Sequence, residues 1–89
     1  MSKSLKRYWF EFDIENVFAF PPGIGLGCGV TAINYDDAIQ IMDKKIFYNI
    51  KMPPIKKYIE DIDINQLDQY HVIPNMNIPT ERGIWFPLT

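Results

Sequence analysis

The chain has 89 residues, 47% of them hydrophobic and 22% charged, with a formal net charge of -2 and a pI near 5.2. A chain of that length forms one domain and buries roughly 60–65% of its unfolded surface, which with this composition excludes wholesale disorder. The acidic balance excludes a broad basic nucleic-acid face, and the single cysteine, Cys28, excludes an intramolecular disulfide and a cysteine zinc cluster.

Met1 to Arg7 carries basic residues with no apolar stretch behind them, because Glu11 and Asp13 interrupt Tyr8 to Ile14. Neither a secretory signal nor a membrane span is expected, and the reading is a reducing, cytoplasmic compartment. Residues 1–6 are expected to be a flexible tail on a single domain spanning 1–89.

Tyr8, Phe10, Phe12 and Ile14 alternate with Trp9, Glu11 and Asp13, the period of a half-buried strand with its even positions inward. Phe18 and Phe20 are expected to continue that apolar face until Pro21, Pro22 and Gly23 break the chain. From Gly23 to Ala32 the residues Ile24, Leu26, Cys28, Val30 and Ala32 alternate with glycine or threonine, which predicts a second strand with a nearly bare outer face. A large side chain on a neighbouring strand can cover such a face, and Trp9 is expected to lie across Gly25 to Gly29.

Asn34 then offers an N-cap, with Asp36 and Asp37 in the first turn and Lys44 and Lys45 in the last. Tyr35, Ala38, Ile39, Met42 and Ile46 form one apolar stripe, so a helix is predicted from about Tyr35 to Phe47. Pro53 and Pro54 stop it. Ile55 to Ile64 predicts a third strand whose alternation breaks between Ile59 and Ile62, as at a bulge or an early strand end. Asn65 to Tyr70 suits one helical turn, and about 15 residues of loop after Leu67 are longer than compact domains usually carry. Gly83 to Phe86 predicts a last short strand. The order β-β-α-β-β defines an α+β domain: a small antiparallel or mixed sheet of about four strands with one main helix packed on one face.

No catalytic or cofactor motif emerges. The glycines fall at every second residue, so neither G-x-G-x-x-G nor a P-loop is present. Cys28 sits on the apolar side of its strand, which suits a buried thiol better than a nucleophile activated by His71. Asp61, Asp63 and Asn65 copy the opening of an EF-hand loop, but Gln66 stands where the loop needs glycine and Val72 where it needs glutamate. No metal and no cofactor are expected.

Four segments together resemble a group of short, stand-alone bacterial proteins of uncharacterised function. They are Arg7 to Asp13; Gly27 to Ala32 with Tyr35 to Ala38; Ile59 to Asp63; and His71 to Met76 with Arg82 to Pro87. The resemblance spans most of the chain and implies no catalytic residues. In size and acidity the chain is also similar to immunity proteins of contact-dependent growth inhibition and related toxin systems.

The expected function is therefore that of an immunity or antitoxin protein, whose partner is a toxin domain such as a nuclease rather than nucleic acid or membrane. Glu60, Asp61, Asp63 and Asp68 would present phosphate-like charge to a basic toxin face. His71 and Arg82 border the same loop. Ile84 and Phe86 are expected to face the core, leaving Trp85 on the outer side with Trp9, where the two rings either cover glycines or loop or, in the binding reading, supply an aromatic anchor. Two alternatives stand beside this one. The first is a small enzyme or ligand binder that gathers His71, Arg82 and an acidic residue in a pocket of the 71–82 loop. The second is an accessory interaction domain of a larger bacterial assembly.

Overall fold

The computed structural model describes residues 4–20 and 22–87, with Val17 described by its backbone alone. In chain order the elements are β1 (Lys6–Phe12), β2 (Cys28–Ala32), α1 (Tyr35–Lys45), β3 (Ile55–Glu60) and β4 (Gly83–Phe86). The strands form one antiparallel sheet in the order β3-β1-β2-β4, with α1 packed on it. This is the α+β arrangement of the sequence reading. No helix among the described residues is long and apolar enough to cross a membrane.

The helix begins where its cap allows. Asn34 adopts an extended backbone and its Oδ1 accepts from the Asp37 N–H at 2.8 Å, satisfying one of the first-turn donors. Asp37 in turn accepts from the Ile33 N–H, which holds the chain leaving β2 against the helix start. Ala38, Ile41 and Met42 are buried, and Ile46 closes the last turn by donating its N–H to the Met42 carbonyl. The helix covers one face of the sheet, where Tyr8, Phe10, Cys28, Val30 and Ala32 complete a first core.

The opposite face is also covered, as the reading in which the tryptophans lie over glycine or loop requires, and Phe86 lies there rather than in the first core. Trp9, Trp85 and Phe86 project from it and are buried under Ile62, Leu67 and Val72, all three from the segment joining β3 to β4. The long connection is therefore a structural layer. It is punctuated by 3-10 turns at Ile64–Gln66 and Ile73–Asn75 and tied down where the Thr31 hydroxyl donates to the Pro79 carbonyl. It also covers part of the β4 edge, since the Asn77 N–H donates to the Trp85 carbonyl at 2.7 Å.

Glycine makes this second layer fit. A Cβ on Gly27 would lie 2.3 Å from the Trp9 ring, and one on Gly29 would lie 2.4 Å from the Trp85 ring. Each indole thus lies flat against bare backbone, and the two rings stack at 6.0 Å and 28°. The expectation that Trp9 covers the glycine run holds at Gly27, while Gly29 belongs to Trp85. Trp85 reaches it through a register shift: Gly29 pairs with Phe86 and Val30 with Ile84, leaving Trp85 as the extra residue of a bulge.

Several boundaries differ from the sequence reading. β2 starts at Cys28 rather than Gly23, because positive φ at Gly23 and Gly27 lets residues 22–26 turn, although Ile24 still points into the first core. β3 stops at Glu60, where Asp61 enters the left-handed region at φ 57 and breaks the alternation as expected. Phe18 does not continue the inward face of β1: a 3-10 turn at Val17–Ala19 leaves it 94% exposed, whereas Phe20 packs edge-on against Phe47. Lys6 is not part of a tail, since it pairs with Ala32 in the sheet; residues 1–3 of the expected tail, and Pro21, lie outside the described residues. On the β3 edge Lys56 and Lys57 are exposed and a register shift falls opposite Glu11 and Phe12, two devices that discourage edge-to-edge pairing.

Because the Trp85 ring leaves no room for a methyl group, Gly29→Ala should cost about 1–3 kcal/mol of folding stability, measured by denaturant titration. Gly25→Ala, at an exposed turn position, serves as the control. Equal midpoints for the Gly29 variant and the parent would show that the indole does not depend on bare backbone.

Candidate functional site

The acidic segment after β3 is built by alternation between water and the second core. Asp61, Asp63 and Asp68 are exposed, while Ile62 and Leu67 are buried and Ile64 is partly buried against the same cluster. The Ile62 N–H donates to the Arg7 carbonyl, and Arg7 Nε donates back to the Ile62 carbonyl at 3.1 Å, so the segment is stitched to β1 directly after β3 ends. Asp63 caps the following 3-10 turn by accepting from the Asn65 N–H. These carboxylates therefore stand on a fixed backbone.

Their charges are not equally available. Glu60 accepts from Lys6 Nζ at 2.8 Å and from the Tyr8 hydroxyl at 3.2 Å. The hydrogen bond and charge of Lys6, with a smaller contribution from Tyr8, hold its carboxyl below the usual glutamate range. Asp68 accepts from the Tyr70 and His71 N–H groups and lies 3.0 Å from His71 Nδ1. The Tyr70 N–H, then the His71 side chain, hold this carboxyl below the usual aspartate range as well. Asp61 and Asp63 form no ion pair among the described residues.

The remaining candidates go elsewhere. Arg82 Nε donates to Asp37 Oδ2 at 2.9 Å, so this guanidinium ties the loop before β4 to the start of α1. His71 lines a different cleft, beside Asn75, Leu26 and Phe86. Arg82 lines clefts with Lys44 and with Glu81, and neither includes His71, so these clefts do not bring the two residues together as the enzyme reading expects. Trp85 is only 1% exposed and Trp9 only 3%, so of the two readings the covering one holds and neither is an outward anchor: both lie on glycine beneath the β3–β4 connection. Cys28 lies in the first core, and burial pushes its thiol far above the ordinary range, leaving it protonated and weakly nucleophilic. Among the described residues no group of three or more histidine, cysteine, aspartate or glutamate side chains is placed to hold a metal ion.

Among the described residues the exposed aromatics are instead Phe18, Tyr48, Tyr58 and Tyr70. Tyr58 rests on Phe10 and Tyr35, with ring centroids 5.8 and 4.8 Å away, and is half covered. Phe18 had a sequence signal in the breakdown of strict alternation after Ile14. Tyr48 had one in its position just beyond the helical stripe. Comparison with known protein families, curated proteins and solved structures finds no match.

Two outcomes are expected. Cys28 should resist a thiol reagent in the native protein and react fully in denaturant, and labelling at the rate of a free thiol would show that the first core opens readily. Glu60 and Asp68 both have depressed folded-state values, so their stabilisation is present above the unfolded carboxylate range near pH ~4 and is lost as pH falls through the folded values. Thermal melts of Glu60→Gln/Asp68→Asn should therefore lose less stability than the parent between about pH 4 and pH 2. An identical acid limb would remove these two groups from the account.

Proposed function

We propose that the protein acts by binding another protein, as an immunity or antitoxin protein that neutralises a bacterial toxin domain in the cytoplasm. The contact surface in this reading is the acidic segment from Glu60 to Asp68. The observation that carries it is the alternation of that segment, whose carboxylates face water while Ile62 and Leu67 are anchored in the second core. A fixed acidic surface loses little conformational freedom on binding, and charge complementarity speeds encounter with a basic partner.

Within the segment, Asp61 and Asp63 carry the largest share, because Glu60 is engaged by Lys6 and Asp68 by His71. His71 lies at the rim, 68% exposed at its side chain. Arg82 and Trp85 take no part in the contact: one is engaged by Asp37 and the other is buried. A nuclease suits the partner's side of the interface, since its substrate-binding face is basic. The same carboxylates would repel a nucleic-acid backbone.

The reading is tested by affinity capture from the source cells with the intact protein and Asp61→Asn/Asp63→Asn as parallel baits. A partner retained by the parent should be at least about tenfold depleted on the double variant, and its capture should weaken as salt is raised. Expressing that partner alone should arrest growth, and adding the parent protein should restore it. Equal recovery on both baits, or a partner harmless to growth, would overturn the proposal.

A further inference from the structure

We propose that a second binding site lies at the far end of β3, and that its occupant is an extended peptide segment of a partner protein presenting an apolar side chain beside a lysine or arginine. The site does not depend on the toxin-binding reading. β1 and β3 pair from Tyr8 with Glu60 at one end to Phe12 with Ile55 at the other, so the acidic segment and this site are separated by the strand's length, roughly 20 Å.

At that far end the chain leaving β1 and the chain entering β3 part to form a cleft of about 640 Å³, within the usual size range of ligand sites. Ile14, Ala19 and Phe20 supply one apolar wall, and Met52, Pro53 and Pro54 the other. The walls are joined where the Asp13 N–H donates to the Pro54 carbonyl at 2.9 Å. Ile14, Phe20 and Met52 also pack against the first core, so the cleft is fixed by the fold.

Two observations select the occupant. Exposed apolar residues adjoin the lining along the chain: Phe18 directly precedes Ala19, Ile50 directly precedes Lys51, and Tyr48 lies two residues before Ile50. A small molecule seated between the walls does not extend beyond the lining, whereas a peptide crossing the cleft is long enough to reach these flanking residues. The charges select the peptide's sequence. Asp13 and Glu15 line the β1 side and Lys51 the other, all exposed, so the lining is net acidic and favours a cationic side chain beside the apolar one.

The test is to pan a displayed random-peptide library against the intact protein and to measure binding of the selected peptide by calorimetry. Enriched sequences should carry an apolar residue adjacent to Lys or Arg. Phe18→Ala and Glu15→Lys, both at exposed positions, should each weaken that peptide about tenfold with unchanged thermal melts. Asp61→Asn/Asp63→Asn should leave it unchanged, so failure here is distinguishable from failure of the toxin-binding reading. The proposal is overturned by a library with no enrichment, by enriched sequences without a basic residue, or by full affinity in both cleft variants. It is also overturned if no peptide binds while a neutral naphthalene fluorophore saturates the cleft and Ala19→Trp blocks it, which would assign the cleft to a small apolar molecule.

Discussion

The packing of two indoles on bare backbone is the constraint from which the rest of this structure follows. Gly27 and Gly29 weaken the strand region they occupy, by about 0.5–1 kcal/mol each relative to alanine. The rings they admit bury on the order of 150–250 Å² apiece, worth several kcal/mol at roughly 25 cal/mol per Å². Burial wins by a clear margin. With Trp9 and Trp85 lying flat, the second face of the sheet becomes an apolar floor, and the β3–β4 connection must cover it.

That cover determines where function can sit. Residues that point down from the connection, Ile62, Leu67 and Val72, are committed to packing, and those between them, apart from the partly buried Ile64, are left in water. The acidic segment is thus a by-product of burying tryptophan, with its side chains fixed from beneath. Partnering then divides the carboxylates further: Glu60 and Asp68 stabilise the surface locally, while Asp61 and Asp63 form no ion pair among the described residues. The cleft at the other end of β3 has a different origin, in the prolines before that strand and the 3-10 turn after β1.

The first core and its helix were legible in the sequence because their signals are local. The cap at Asn34, the carboxylates after it and the Ala38–Met42 stripe each act within one or two turns. Period-2 alternation likewise placed Tyr8, Phe10, Cys28 and Val30 on one face. The second core was not legible in the same way. Its members come from β1, β4 and a connection with no regular period, and alternation alone labels any residue opposite the first core as outward. Phe86, read inward with Ile84, was misplaced because the bulge in β4 turns it to the Trp9 side, and the long connection was read as a loop.

The sequence by itself determined the strand and helix order, the orientation of the first core, the need for a large ring over the glycines and the position of the acidic run. Each depends on residues near one another in the chain. Only the tertiary structure decided that both sheet faces are covered, that Trp85 rather than Trp9 fills the space at Gly29, that Arg82 serves Asp37, and that His71 and Arg82 do not converge. Those outcomes turn on a one-residue bulge opposite Gly29 and on contacts between residues tens of positions apart, such as Arg7 with Ile62 and Thr31 with Pro79. A bulge changes which side chains share a face without altering the local pattern, so alternation along the chain gives no sign of it.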